Sequence, residues 1–553
     1  MRVFIHDFSR AQFAPESGSD KSSGLRRSIG RWDERGMQMH RSITRLLCAM
    51  APAIGLVASL LVTRASADEA DRFPTATPIK HLVIIFQENE TFDHYFGTYP
   101  NASNPPDEPE FVPARDTPSV NGLTPTLLNF NPNGVNPFRY DRSQGFYCDG
   151  DNGYMAEQQQ FDMGLMDQFP TFTKLPPGCP DYGHGSAFVM GYFDGNTVTA
   201  LWNYAQHFAM SDNSYGTTFG STLLGHINLV SGQTNGAIAT PPNPLIVLDG
   251  TLIANAQPTG DVCFASASQT VQMSGTNLGD LLNAKGISWG SFEGGFNLQK
   301  VNPNGTTGCK RNHTNPVTGL IVNDYNGQYT PFQYYPQTSN LTHIRAANVS
   351  EIGHCGQANH EYDLDDLLVA AKADNLPAVS YVKAERYQTG HAGGISDPLD
   401  EQVFLVQTIN SLEKTRQWKS MAIIIAFDDS DGDYDHQMSP IFNGSTSVLD
   451  ALNGTGICGS GDPVLGDAEL RCGYGPRLPL LVISPYARRN FVDHTITDLT
   501  SITRFVEDNW SLGRIGGGSY DAIAGPLSNL FDFTGRHRTR PLFLDPDTGE
   551  RSH

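Results

Sequence analysis

The chain has 553 residues, a formal net charge of −21 and only 17% charged residues. Such an acidic chain lacks the basic surface with which proteins hold nucleic acid or anionic membranes, so no nucleic-acid partner is expected. Hydrophobic residues reach 39%, enough for a large core, while 55 glycines and 35 prolines exclude a coiled coil or a long helical array.

The first predicted element is an export signal within residues 1–67. Arg41 and Arg45 precede an apolar run of 17 residues at 46–62, and residues 65–67 read Ala-Ser-Ala. This order is typical of a secretory signal, and it predicts cleavage after Ala67 and a secreted or periplasmic protein without a membrane span. An uncleaved anchor stays the alternative, because 17 apolar residues are close to the length that spans a bilayer.

Cleavage after Ala67 would leave seven cysteines in an oxidising compartment, where disulfides form. Sequence alone does not fix connectivity. The favoured pairs are Cys458 with Cys472, Cys148 with Cys179, and Cys263 with Cys309. Cys355 would be left over. No CxxC occurs, which argues against a cysteine-bound zinc ion.

Short apolar runs predict the central strands of the fold. They lie at 81–86, 378–382, 421–427 and 479–484. Continuous Val, Ile and Leu runs of this length are typical of parallel strands covered on both faces. Between them, residues 363–373 and 400–415 space apolar side chains as amphipathic helices do. The alternation predicts an α/β fold with a doubly wound, mostly parallel sheet flanked by helices.

The chain is expected to form one catalytic domain over residues 68–545, followed by a polar tail at 546–553. Residues 99–150 and 233–360 are rich in Pro, Asn, Gly and Thr. This composition predicts loop-rich insertions in the domain.

Polar side chains follow two of the predicted strands directly. Glu88 and Asn89 come after the first strand, and Asp428 and Asp429 come after the third. Ligands of open α/β sheets bind beyond the carboxyl ends of strands, and clustered carboxylates repel unless a cation or shared protons intervene. The pattern predicts a divalent metal site. The alternative is a set of helix caps and Asx turns.

Four sequence blocks carry a family pattern. They read ENETFDHYFG at 88–97, FGSTLLGHINLVSG at 219–232, LPAVSY at 376–381 with Gly390-His391 beyond it, and FDDSDGDYDH at 427–436. In this order they resemble the bacterial phosphoesterase family, which contains acid phosphatases and phospholipases C and belongs to the alkaline phosphatase superfamily. The resemblance implies an alkaline-phosphatase-like fold with loop-rich insertions.

The resemblance also implies roles for individual residues. One divalent metal ion would be held by Glu88, Asn89, Thr222, Asp428 and Asp429. Thr222 would be the catalytic nucleophile, with its neighbour Ser221 as the fallback. The phosphate would be bound by Asn89, His391 and His226. Because this ligand set contains oxygen and amide groups, it favours Mg²⁺, Mn²⁺ or Ca²⁺ over zinc.

The sequence departs from the family pattern at three places where relatives tend to have histidine. They are occupied by Asn152, Gln328 and Tyr329. These side chains can donate hydrogen bonds to a phosphate, but they are not general acids near neutral pH. The departures put proton transfer to the leaving group in question.

We therefore expect an exported, metal-dependent phosphoric ester hydrolase that acts through a Thr nucleophile and a phosphoenzyme intermediate. The acid-phosphatase branch is favoured, because the family's phospholipases C often carry C-terminal β domains and this chain ends before them. A phospholipase C or phosphodiesterase of the same family is one alternative. A catalytically weakened homologue that binds a phosphate ligand is the other. The substrate would be a small phosphomonoester or a phospholipid head group.

Overall fold

An eight-stranded sheet lies at the centre of the protein. The structure is a computed structural model that describes residues 68–535 and 538–552, all within one compact unit, so the predicted signal at 1–67 lies outside the described residues. In chain order the strands are β1 (His81–Gln87), β2 (Ala209–Ser211), β3 (Trp289–Glu293), β4 (Glu361–Asp363), β5 (Val379–Lys383), β6 (Met421–Phe427), β7 (Leu480–Ile483) and β8 (Phe491–Asp493).

The strand order across the sheet is β4-β3-β5-β1-β6-β7-β2-β8. Neighbouring strands run parallel except at β7, which is antiparallel to both β6 and β2. The predicted α/β class with a mostly parallel sheet is confirmed, and all four predicted strands are present. The strand near residue 480 departs from the parallel direction, which its apolar run could not reveal because an antiparallel strand buried on both faces has the same composition.

Burial on both faces explains why the central strands are continuous aliphatic runs. Every residue of β1 and of β6 is buried. Ile84 of β1 pairs with Tyr381 on one side and with Ile424 on the other. The register also brings the last residues of β1 and β6, Gln87 and Phe427, side by side.

Ten α-helices surround the sheet in the described residues. They are α1 (Phe92–Phe96), α2 (Pro125–Asn129), α3 (Tyr154–Phe161), α4 (Phe169–Phe172), α5 (Thr199–His207), α6 (Thr222–Ser231), α7 (Leu278–Lys285), α8 (Leu364–Lys372), α9 (Pro398–Glu413) and α10 (Leu499–Trp510). In this part of the chain, no helix has the length and apolar character needed to cross a bilayer.

The two helices expected from sequence appear as α8 and α9. Asp363 caps α8 in a capping box with Asp366. Asp397 caps α9 and Pro398 occupies its first turn, a position where the missing N–H of proline costs nothing. Local capping chemistry thus sets both helix starts.

The range 233–360 combines peripheral loops with part of the core. Ala237–Thr240, Thr270–Met273 and Gln257–Pro258 form a small three-stranded sheet, and Asn312–Thr314 pairs with Ile321–Asn323. The same range also contributes β3 to the main sheet. It is therefore not an insertion throughout.

Three disulfides form as the sequence analysis favoured. The bonds are Cys148–Cys179, Cys263–Cys309 and Cys458–Cys472. Cys355 is disulfide-bonded as well, so the expectation that it would be left over is wrong.

Replacing Ile424 with Ala should destabilise the protein by about 2–5 kcal/mol, because it leaves a cavity in a fully buried strand between Ile84 and Val482. Ile424→Val should cost about 0.5–1.5 kcal/mol. Urea unfolding followed by tryptophan fluorescence measures both. Val369→Ala, on the exposed side of α8, is the control and should change stability by no more than about 0.5 kcal/mol. Equal effects at positions 424 and 369 would contradict the assigned core.

Candidate active site

Strands β1 and β6 place the predicted ligand residues next to one another. Because β1 and β6 are parallel and end in register, the residues that follow them emerge together. The Asn89 N–H donates to Asp428 Oδ1 at 3.0 Å, although the two residues are 339 positions apart. Glu88 and Asp429 flank this contact and are also buried. The expected convergence at the strand ends is present.

Left-handed backbone shapes the loop after each strand. Asn89 has φ of 56° and Asp431 has φ of 53°, a region that costs non-glycine residues energy. The Asn89 amide donates from Nδ2 to Asp431 Oδ1 at 3.0 Å, and the Asp431 N–H donates to Asp429 Oδ1 at 2.8 Å. The two strained loops therefore hold each other in place.

Four buried oxygens of the predicted ligands have no hydrogen-bond partner among the described residues. They are Glu88 Oε2, Asn89 Oδ1, Asp428 Oδ2 and Asp429 Oδ2. Burial raises the pKa of Asp429 well above its usual range, and the neighbouring Asp428 raises that pKa further. Burial followed by Asp428 does the same for the pKa of Glu88. A divalent cation fits this set, because it would pair with oxygens that are otherwise costly to bury.

Helix α6 places Thr222 at the same site. Thr222 is the first residue of the helix and Ser221 is its N-cap. One turn on, a Cβ added to Gly225 would lie 2.2 Å from the Asp428 carbonyl oxygen, so glycine lets the helix pack directly on the ligand loop. The N-terminus of a helix attracts anions through its free N–H groups and its dipole. The predicted nucleophile thus begins a helix whose first turn packs against the loop that carries Asp428 and Asp429.

His226 lies among the ligand residues. Its Nδ1 is 2.9 Å from the Thr222 carbonyl oxygen, which assigns the proton to Nδ1. Its Nε2 has no hydrogen-bond partner in the described structure and lies 3.8 Å from Glu88 Oε1. Burial, followed by Lys383, lowers the pKa of His226 well below its usual value, so the ring is neutral. Glu88, His226 and Asp428 are close enough to share an ion, which adds a nitrogen to the oxygen ligands expected from sequence.

His391 lies beside Asn89. Its Nδ1 donates to the Ala392 carbonyl oxygen at 2.9 Å, and its Nε2 is 3.4 Å from Asn89 Nδ2. Burial lowers the pKa of His391, so Nε2 carries a lone pair in this arrangement. Both predicted phosphate ligands on this side of the site are therefore adjacent.

Lys383 is a site residue that the sequence analysis missed. It ends β5, its Nζ contacts Glu88 Oε1 in a buried ion pair, and it lies 4.4 Å above the Tyr329 ring. The sequence feature that could have identified it is a lysine at the end of an apolar strand, because a buried charge needs a partner. Lys383 supplies one positive charge beside the ligand carboxylates.

Glu157 on α3 was also missed. Its Oε1 accepts from Ser430 Oγ at 2.6 Å, and its Oε2 accepts from the Gly220 N–H at 2.6 Å. Burial raises the pKa of Glu157 to about 8. The residue links the loop before Thr222 to the loop after β6. No local pattern marks it, because both partners are far away in sequence.

The departures from the family pattern at positions 152 and 329 lie at the site. Asn152 donates from Nδ2 to Asp429 Oδ1 at 2.9 Å. Tyr329 stacks on His226 with ring centroids 5.6 Å apart, and burial followed by Glu88 raises the pKa of Tyr329 well above its usual value. Gln328 is half-buried next to Tyr329. Asn152 and Tyr329 therefore surround the ligands without contributing an ionisable group near neutral pH.

The chain matches the Phosphoesterase family over residues 79–513 and belongs to it. It is a phosphoric ester hydrolase by family. Phospholipase C A of Mycobacterium tuberculosis is 23% identical over 86% of this chain and 81% of its own length. Hemolytic phospholipase C of Pseudomonas aeruginosa is 24% identical over 86% of this chain and 59% of its own length.

A further relative is the non-hemolytic phospholipase C of Burkholderia pseudomallei, which is 24% identical over 92% of this chain and 67% of its own length. A solved Vibrio parahaemolyticus structure, titled as a protein in the alkaline phosphatase superfamily, aligns with 12% identity and a TM-score of 0.29 over 86% of this chain and 78% of its own.

Gly225→Ala should lower activity at least about tenfold, because the new methyl group must push α6 away from the Asp428 loop and small misplacements at a site are costly. In an unconstrained helix the same change would stabilise the protein by about 0.5–1 kcal/mol. Steady-state turnover and thermal unfolding check both effects. Gly216→Ala is the control, since its added Cβ has no neighbour closer than 3.5 Å. Full activity in Gly225→Ala would disprove the close approach.

Proposed function

We propose that this protein is an exported, metal-dependent phosphodiesterase of phospholipase C type, with Thr222 as its nucleophile. The observation that carries the proposal is the set of four unpartnered buried oxygens beside the N-terminus of the helix that Thr222 begins. A cation explains the oxygens, and a hydroxyl at a positive helix end explains how a phosphate would be attacked.

The proposed cation would be held by Glu88, Asn89, Asp428 and Asp429, with Thr222 completing the shell; His226 is a further candidate ligand. When bound, a divalent ion lowers the pKa of a coordinated hydroxyl and neutralises charge on the phosphoryl oxygens. The oxygen-rich set favours Mg²⁺, Mn²⁺ or Ca²⁺, while the His226 nitrogen brings Zn²⁺ closer to them than the sequence indicated.

The chemistry follows from the residues at the site. Thr222 Oγ1 attacks phosphorus, the Thr–phosphate bond forms, and the bond from phosphorus to the leaving alcohol breaks. The Thr222 hydroxyl loses a proton in this step and the leaving alkoxide takes one up. Water then hydrolyses the threonine phosphodiester, which still carries the second ester group of the substrate, and restores the hydroxyl. Asn89 and His391 are adjacent. They would position the phosphoryl oxygens during both steps, His391 once a proton is taken up on its Nε2, because a phosphoryl oxygen can only accept hydrogen bonds. The buried Lys383 ammonium would offset the charge that accumulates.

Two observations favour a phosphodiester over the phosphomonoester expected from sequence. The curated relatives reported above are named phospholipases C. In addition, the site places one ammonium, Lys383, beside the carboxylates of Glu88 and Asp428. One divalent cation together with Lys383 would only balance the carboxylates of Glu88, Asp428 and Asp429. The site would then offer no surplus of positive charge, which a dianionic monoester needs more than a singly charged diester does. The acid-phosphatase assignment is thereby the second candidate.

Export is part of the proposal. Three disulfides lie within the described residues, and such bonds persist in oxidising compartments. Together with the predicted signal in residues 1–67, they favour a secreted or periplasmic protein.

Thr222→Ala should reduce turnover by about 10³-fold or more, because the attacking oxygen is removed. Ser221→Ala is the matched control and should retain most of the activity, since the Ser221 side chain makes no capping hydrogen bond. Steady-state kinetics with a chromogenic ester measure both variants, and mass spectrometry of rapidly quenched enzyme looks for the phosphoryl group, with its remaining ester substituent, on Thr222. Activity lost at 221 and kept at 222 would assign the nucleophile to Ser221.

The substrate class is tested with p-nitrophenyl phosphate, its bis-ester and p-nitrophenyl phosphorylcholine. Protein starting at Asp68 is stripped with a chelator and refilled with Mg²⁺, Mn²⁺, Ca²⁺ or Zn²⁺. We expect metal-restored turnover at least about tenfold higher on the choline ester than on the monoester, because the diester carries less charge. A preference for the monoester would establish the acid phosphatase instead. Tight metal binding without turnover of any ester would establish the catalytically weakened homologue.

A further inference from the structure

A second group of ionisable side chains lies next to the site and has no part in the proposed reaction. It consists of Glu90, His94 and Asp433, and all three are buried. Glu90 follows the predicted ligand Asn89 directly, His94 lies on α1, and Asp433 follows β6 beyond Asp429. We call this group the Glu90 cluster.

The distances within the Glu90 cluster are those of atoms that share an ion. His94 Nδ1 is 3.3 Å from Asp433 Oδ2, and His94 Nε2 is 3.5 Å from Glu90 Oε2. One ligand atom from each residue can be chosen so that all lie within 4.8 Å of one another. Ligands about 2.1–2.2 Å from a metal are about 3.0 Å apart when adjacent in an octahedron and about 4.4 Å apart when opposite.

Several buried polar atoms of the Glu90 cluster have no hydrogen-bond partner in the described part of the chain, which indicates that a cation binds between them. Both Glu90 oxygens, both His94 nitrogens and Asp433 Oδ1 have no hydrogen-bond partner among the described residues. Tyr95 on α1 donates to Glu401, and Tyr147 donates to Asp433 Oδ2 at 2.9 Å, so no hydroxyl of the described structure satisfies the Glu90 oxygens. The Gly191 backbone lies near His94 without meeting hydrogen-bond geometry. Buried polar groups are almost always satisfied.

The charge balance gives the same indication. In the described chain, no Lys or Arg forms an ion pair with Glu90 or Asp433. Aromatic rings enclose the imidazole of His94, with the Tyr147 centroid at 5.1 Å and the Phe193 centroid at 5.2 Å. Two carboxylates in such surroundings are costly to ionise without a cation.

We propose that the Glu90 cluster binds a second divalent cation, of the Mn²⁺ or Zn²⁺ type, that holds the two catalytic loops together. Two carboxylates and one imidazole suit these ions better than Mg²⁺ or Ca²⁺. Glu90 belongs to the loop after β1 and Asp433 to the loop after β6. An ion between them therefore fixes the spacing of the loops that carry Asn89 and Asp429.

Unpartnered carboxylate oxygens alone do not make such a site. Glu361 of β4 is equally buried, and both of its oxygens are unpartnered. Among the described residues, however, it shares no ligand-distance group with an imidazole and a second carboxylate. Burial, followed by Glu293, raises the pKa of Glu361, as burial also does for Glu90, so the two carboxyl groups differ in their neighbours and not in their burial. This makes it the matched control for Glu90.

Metal counting tests the second site in the intact protein. Protein purified with Mn²⁺ present throughout expression and folding, and then dialysed, should contain about two ions per chain by mass spectrometry. The double variant Glu90→Gln with Asp433→Asn keeps the shape of the cluster and removes its charge, so it should contain about one ion. Glu361→Gln should still contain two. One ion per chain in wild type, or an unchanged count in the double variant, would overturn the proposal.

Anomalous diffraction of Mn²⁺-grown crystals places the ions without any variant. We expect one peak within about 2.5 Å of the Glu90, His94 and Asp433 ligand atoms and a separate peak at Glu88 and Asp428. A single peak at Glu88 and Asp428 would overturn the second site even if the double variant failed to fold.

The outcome is separable from the proposed function. Thr222→Ala should lose turnover yet keep the ion of the Glu90 cluster, because Thr222 is not in that group. An active enzyme with one ion would retain the function and reject the second site. An inactive enzyme with two ions would support the second site and reject the proposed function.

Discussion

The parallel, in-register pairing of β1 with β6 is the constraint on which the site depends. The pairing runs without a break from His81 and Met421 to Gln87 and Phe427, so the residues beyond have no freedom to separate. It brings Glu88 and Asp428 into a buried space where like charges repel. A fold that forces carboxylates together must supply positive charge. The proposed cation would relieve this repulsion on binding.

Other parts of the molecule contact the loops after β1 and β6 from several directions. α6 approaches closely because Gly225 has no side chain at the contact with Asp428. Glu157 ties the loop at Gly220 to the loop at Ser430 through two short hydrogen bonds. These contacts join segments from distant parts of the chain. They make the site rigid, which is what a reaction based on positioning and fixed charge requires.

Sequence reasoning identified those parts of the structure whose cause is local. The aliphatic runs of β1, β5, β6 and β7 have the composition that burial on both faces demands. The residues after β1 and β6 are polar and lie at the edge of the sheet where ligands of open α/β sheets bind. β3 reads Trp-Gly-Ser-Phe-Glu, which is buried only because neighbouring segments cover it. The roles of Lys383 and Glu157 at the site depend on partners that are 295 and 63 positions away in the sequence. Contacts of that kind leave no pattern in a single sequence.

The side chains at positions 152 and 329 show how a phosphoesterase site can do without histidines there. Tyr329 lies between the His226 ring, on which it stacks, and the Lys383 ammonium, which it faces. Its face attracts the cation, so Lys383 is held between an aromatic surface and the carboxylate of Glu88. An imidazole at position 329 would be charged or neutral depending on pH, whereas the Tyr329 ring only holds the Lys383 ammonium against its face. The site therefore has the Lys383 ammonium where a histidine at position 329 could have donated a proton. It suits leaving groups that depart without strong acid assistance, or ones that receive their proton from water.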